Sequence, residues 1–144
     1  SDLMGDTVNL AARLEASAKQ YGIYIQVADE TYKACKDKFI WRDLDYVVVM
    51  GKSEPAQVFE LIAEKGKMPP GYDKLLDAYH DALALYRNQE WEKAIDAFKA
   101  SDKLEDMFPG RKTNPSRVYI PRCEHYRDNP PGDDWDGSWA LTKK

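Results

Sequence analysis

Cysteine is almost missing from this chain. The 144 residues hold two, Cys35 and Cys123, far apart and outside any CxxC or His-rich cluster. A disulfide framework and a structural zinc site are therefore not expected, and reduced intracellular thiols are. No apolar run approaches the roughly 20 residues that span a bilayer, and no charged-then-apolar leader stands before a small-residue cleavage site. Neither membrane insertion nor secretion is expected of these residues, which places them in the cytoplasm, whatever anchor a longer parent carries. An excess of basic charge is also lacking: 21 Lys and Arg against 25 Asp and Glu leave a net charge of -4. That balance argues against a dedicated nucleic-acid binder. What the chain does have is 43% hydrophobic residues, enough to bury a core in one ordinary domain or two small ones.

Two halves of different character meet at the run Glu64-Lys65-Gly66-Lys67-Met68-Pro69-Pro70-Gly71, whose polar and Gly/Pro content reads as a linker. The boundary is set at residues 65/66. In the first half, Asp6 or Thr7 can cap a helix with an apolar stripe of Leu10, Ala11, Leu14 and Ala18, ended by Gly22 in a left-handed conformation. Ile23, Ile25 and Val27 then alternate as a strand, Asp29 caps a short helix to about Lys36, and residues 39–49 and 57–62 read as strands around a Gly51-Lys52-Ser53 turn. Intermixed helices and hairpin-connected strands indicate an α+β fold. The second half carries two helical stripes. The first is Leu75, Leu76, Tyr79, Leu83 and Tyr86, the second Trp91, Ala94, Ile95 and Phe98, with a break at Asn88-Gln89-Glu90. A third helix is predicted over 115–126, followed by an irregular tail whose Trp135 and Trp139 are expected to dock on the body. His80 and His125 stand alone, as helix-packing or surface residues rather than metal ligands.

The most informative stretch is Gly5-Asp6-Thr7-Val8-Asn9-Leu10-Ala11-Ala12-Arg13-Leu14-Glu15. Asn9 and Arg13 are one helical turn apart, so an amide and a guanidinium share a face and can address one ligand. Such a pair suits a ribose oxygen and a phosphate that gains charge in a transition state. The stretch resembles the signature of class III adenylate and guanylate cyclases. The likeness continues through Tyr21-Gly22, the strand at 23–28, the Gly51-Lys52-Ser53-Glu54-Pro55 turn and Val58-Phe59-Glu60-Leu61, about the first 63 residues. The resemblance implies the C-terminal part of a ferredoxin-like cyclase domain over residues 1–65. It implies that Asn9 orients the ribose while Arg13 stabilises the α-phosphate under attack by the 3′-hydroxyl, with pyrophosphate leaving. It places Asp2 at the base-selecting position, where a carboxylate accepts from the 6-amino group of adenine, and so favours ATP over GTP.

The same resemblance implies Mg²⁺ or Mn²⁺, held by aspartates expected upstream of residue 1 together with an adenine-reading Lys. These 144 residues alone are accordingly expected to be inactive. It also implies a homodimer, since family sites form between two catalytic domains. Where many relatives have a phosphate-contacting Lys, this chain has Met50, with Lys52 two residues on as a candidate substitute. Residues 66–144 resemble a single tetratricopeptide repeat followed by a tail, as in the extension of several bacterial cyclases. One repeat cannot bury both faces, so it is expected to pack on the first half or on a protein partner. The rival account is a catalytically inactive cyclase-like signalling module that docks a protein partner, with a guanylate cyclase as the weaker third.

Overall fold

The computed structural model describes residues 18–23, 26–48, 54–106 and 109–139. Strands β1 (Gln26–Ala28), β2 (Phe39–Val47) and β3 (Ala56–Glu64) form an antiparallel sheet in the order β1-β3-β2. Helix α1 (Asp29–Cys35) joins β1 to β2. Helices α2 (Tyr72–Arg87), α3 (Trp91–Asp102) and α4 (Pro115–Asp128) follow the sheet. The class is α+β, as the pattern indicates.

Residues 18–21 are the described end of the opening helix, and Gly22 stops it. Its φ of 73° is the left-handed region that glycine enters without a Cβ penalty. The Gly22 N–H donates to the Lys19 carbonyl at 3.1 Å and the Ile23 N–H to the Ala18 carbonyl at 3.0 Å, the paired bonds of a Schellman motif. The earlier part of that helix lies outside the described residues, as do residues 24–25 and the 49–53 turn. One capping assignment is corrected. Ala28, not Asp29, takes the N-cap position of α1, with extended backbone and no side-chain cap; Asp29 stands in the first turn and pairs with Lys33 at 3.0 Å. A carboxylate in the first turn faces the positive end of the helix dipole, which rewards it there without a capping bond.

The sheet has two differently furnished faces. On one, the Tyr32 ring from α1 stacks on Phe59 at 3.8 Å and meets Trp41 edge-on at 5.2 Å. On the other, Arg42, Leu44 and Glu60 are buried towards α2–α4. Strict alternation would bury only one of two consecutive residues. A shift of register between Asp43↔Phe59 and Asp45↔Val58 leaves Leu44 as the extra residue of a bulge, so that Leu44 and Asp45 are both buried. The Leu44 carbonyl accepts from the Tyr79 hydroxyl at 3.4 Å and from the Tyr119 hydroxyl.

Both helical stripes are buried as their spacing requires, Leu75, Leu76, Tyr79, Leu83 and Tyr86 in α2 and Trp91, Ala94, Ile95 and Phe98 in α3. The break between them holds Gln89 at φ 62°. The two faces that one helical hairpin leaves open are covered by α4, whose Tyr119 stacks on Phe98 at 5.0 Å, and by the sheet. Asn114 caps α4 by accepting from the Arg117 N–H at 2.9 Å, with Pro115 at the first helical position. The tail docks as expected. The Trp135 indole donates to the Ser138 carbonyl at 2.8 Å, and Trp135 and Trp139 lie 5.3 and 5.2 Å from the Tyr126 ring.

Candidate functional site

Asp2, Asn9, Arg13 and Lys52, the residues the sequence singles out, lie outside the described residues, as does Met50. The described residues that flank them show how their segments are anchored. Val47 pairs with Ala56 at the end of the β2–β3 ladder, so both stems of the 48–55 connection are held in the sheet. At the end of the opening helix, Ala18, Tyr21 and Ile23 pack with Leu44 and Val58 and against Val47 and Val118. The Tyr21 hydroxyl donates to Asp45. One hydrogen bond therefore ties the segment after Arg13 to the strand that leads towards Lys52.

A set of buried and half-buried ion pairs joins this sheet to the helices, and periodicity did not reveal it. Arg42 donates from Nε to Glu60 at 2.9 Å and from Nη1 and Nη2 to Glu105 at 2.7 and 3.1 Å, with its guanidinium 4.9 Å from the Tyr79 ring centroid. Glu105 also accepts from the Ser116 hydroxyl at 2.6 Å. Asp43 accepts from Arg87 at 2.8 Å and from Gln57 at 2.8 Å, while its N–H donates to His80 Nε2 at 3.2 Å. Burial lowers the His80 pKa, which favours the neutral ring this acceptor role requires. Asp45 accepts from Arg122 Nη1 at 2.9 Å, from its neighbour Tyr46 N–H at 2.8 Å and from the Tyr119 hydroxyl at 3.3 Å. The signal available in sequence was the charge pattern Arg42-Asp43-Leu44-Asp45 inside an otherwise apolar and aromatic strand.

These environments fix protonation. Burial pushes the Glu60 carboxyl up to about 7, with the neighbouring Glu105 charge adding to the rise and Arg42 opposing it. Burial likewise raises the Tyr21, Tyr79, Tyr86 and Tyr119 phenols, so all four keep their protons. The Cys123 thiol, buried in the core, is pushed up to about 12 and is no nucleophile near neutral pH. Among the described residues no group of three or more His, Cys, Asp or Glu could hold a metal ion, and no helix is long and apolar enough to cross a membrane. A groove of about 840 Å³ opens beside the helix end, lined by Gln20, Val118, Pro121, His125 and Trp139 among others.

No family model matches the chain, and no solved structure does. Among curated proteins, it is 33% identical over 124 residues, 83% of its length, to the terminal-differentiation-specific adenylate cyclase of Dictyostelium discoideum, of which the match covers 6%. It is 40% identical over 70 residues to an adenylate cyclase of Mycobacterium tuberculosis, covering 49% of this chain and 15% of that protein. An adenylate cyclase of Anabaena cylindrica is 36% identical over 66 residues, 44% of this chain and 13% of its own length. The chain thus spans only 6 to 15% of these three relatives. A match over 83% of the chain necessarily takes in residues from both the sheet and the helices. Together these likenesses show an adenylate cyclase-related domain.

Proposed function

We propose, from the adenylate cyclase-related domain that this chain carries, that its parent protein converts ATP to 3′,5′-cyclic AMP and pyrophosphate. Residues 1–65 would form the C-terminal part of the catalytic domain and residues 66–144 a tetratricopeptide-like extension. Asn9 would hold the ribose so that its 3′-hydroxyl lies in line with the α-phosphate, where orientation alone can account for a large part of the barrier lowering. Arg13 would meet the charge that grows on the α-phosphate oxygens as the new O–P bond forms and the bond to pyrophosphate breaks. Asp2 would accept from the adenine amino group, and Lys52 would contact the phosphates in place of the missing lysine at Met50. A homodimer would complete each site across the subunit pair. Mg²⁺ or Mn²⁺ belongs to the proposal; among the described residues no group of three or more His, Cys, Asp or Glu could hold it.

The observation that carries this reading is the 33% identity to an adenylate cyclase over 83% of the chain. It is supported by the Asn9/Arg13 spacing in the opening segment. The test is turnover of Mn-ATP by the full-length parent, with Mn-GTP as the comparison substrate. Arg13→Ala is expected to lower kcat about 100-fold or more while leaving KM within a few-fold, the pattern of a group that acts in the transition state. An unchanged kcat removes Arg13 from the mechanism. Absence of turnover by the unaltered parent would favour an inactive signalling module, for which the groove beside α4 is the candidate docking place.

A further inference from the structure

The extension grips the end of the opening helix at three points of different physical kind. The first is steric: a Cβ placed on Gly22 would stand 1.8 Å from the Thr113 carbonyl oxygen, so the helix end and the residue before the α4 cap are in direct backbone contact. The second is a hydrogen bond from Arg111 Nε to the Ile23 carbonyl at 3.0 Å. The third is a shared carboxylate. Asp45 takes the Tyr21 hydroxyl from the helix end on the same oxygen that takes Arg122 Nη1 from α4, while its other oxygen takes the Tyr119 hydroxyl and the Tyr46 N–H. The Asp45 and Arg122 side chains are only 3% and 4% exposed, so water does not compete for these contacts.

Asp45 therefore joins the segment that follows Arg13, the strand that precedes Lys52, and the third helix of the extension. We infer that Tyr21, Asp45 and Arg122 are positioning residues: through them the extension fixes the described end of the opening helix, residues 18–23, on β2, and so sets the rate of the reaction proposed for Asn9 and Arg13. The inference rests on the proposed cyclase reading and adds a role for residues 109–126 that a passive cover would not have. The sequence pattern predicts one helix from about Thr7 to Tyr21, and at about 1.5 Å per residue that prediction puts Arg13 about two turns and Asn9 about three turns from the anchored end, where a shift of a stiff helix is still felt. Misplacement of a catalytic group by about 1 Å can cost on the order of 100-fold in rate.

The experiment uses the full-length parent and two readouts, amide hydrogen exchange and steady-state kinetics with Mn-ATP. Tyr21→Phe keeps the ring in its packing and removes only the hydroxyl. It is expected to speed exchange at the Gly22 and Ile23 amides about tenfold or more, with residues 94–98 of α3 still protected. It should also lower kcat about fivefold or more with KM within about twofold. Arg122→Lys should retain most of the kcat that Arg122→Met loses. Arg117→Ala, on the same helix as Arg122, breaks a half-exposed pair with Asp102 at the end of α3 and should change neither readout. Unchanged exchange at residues 22–23 in Tyr21→Phe overturns the clamp, and faster exchange with an unchanged kcat overturns the positioning role. Absence of turnover by the unaltered parent sinks the enzymatic reading, and the kinetic role falls with it. The exchange result still decides whether the clamp exists.

Discussion

Glu60→Gln is expected to make the protein more stable at alkaline pH than the natural sequence and to leave it little changed in mild acid. Two carboxylates share one guanidinium in a site where the Arg42, Glu60 and Glu105 side chains are 1%, 3% and 2% exposed. Glu105 is well provided for, with two donors from Arg42 and the Ser116 hydroxyl. Among the described residues Glu60 receives only Arg42 Nε, and burial, with the Glu105 charge adding to it, moves its pKa from the ordinary 4.5 to about 7. The sign follows from proton linkage. Because the folded chain binds this proton more tightly than the unfolded chain, stability from this group is highest below about 4.5. It falls as pH rises towards about 7 and is flat beyond that. With ~1.4 kcal/mol for each tenfold change in proton affinity, the loss across that window is ~3 kcal/mol. A neutral amide can still accept the Arg42 Nε proton but has nothing to titrate. Urea unfolding of both proteins at pH 5, 6, 7 and 8 should show the difference growing to about 2–3 kcal/mol in favour of Glu60→Gln by pH 8, and below about 1 kcal/mol at pH 5. A variant that is less stable than the natural protein at pH 8, or a difference that does not change with pH, would refute the reasoning.

The Tyr86 hydroxyl is buried with no hydrogen-bond partner among the described residues, whereas the Tyr119 hydroxyl donates to Leu44 and Asp45. Tyr86→Phe should therefore be neutral or stabilising by up to about 1 kcal/mol and Tyr119→Phe destabilising by about 1–3 kcal/mol, read from denaturant midpoints; the opposite order would contradict the hydrogen-bond assignment. Gly22→Ala should cost more than about 2 kcal/mol, because it adds left-handed strain to a Cβ that meets the Thr113 carbonyl 1.8 Å away. A loss below about 1 kcal/mol in thermal unfolding would mean that the helix end and the α4 cap can separate freely.

Patterns that repeat along the chain were legible in advance because local geometry alone generates them. The apolar stripes of α2 and α3, the Gly22 stop, the start of α4 at Pro115 and the α+β class all follow from helical and strand periods and from backbone preferences of single residues. The Asn9/Arg13 pair is a reading of the same kind, two residues one helical turn apart in sequence, and lies outside the described residues. Other features depend on which distant residues the fold brings together. Asp45 meets Arg122 across 77 positions and Arg42 meets Glu105 across 63, and nothing in either neighbourhood names its partner. The bulge at Leu44 decided that two consecutive residues would both be buried, which a period of two forbids. Sequence by itself determined the elements and a candidate chemistry. Tertiary structure decided that the charges of one strand are buried rather than solvated, because only the packed helices supply counter-charges and remove the water.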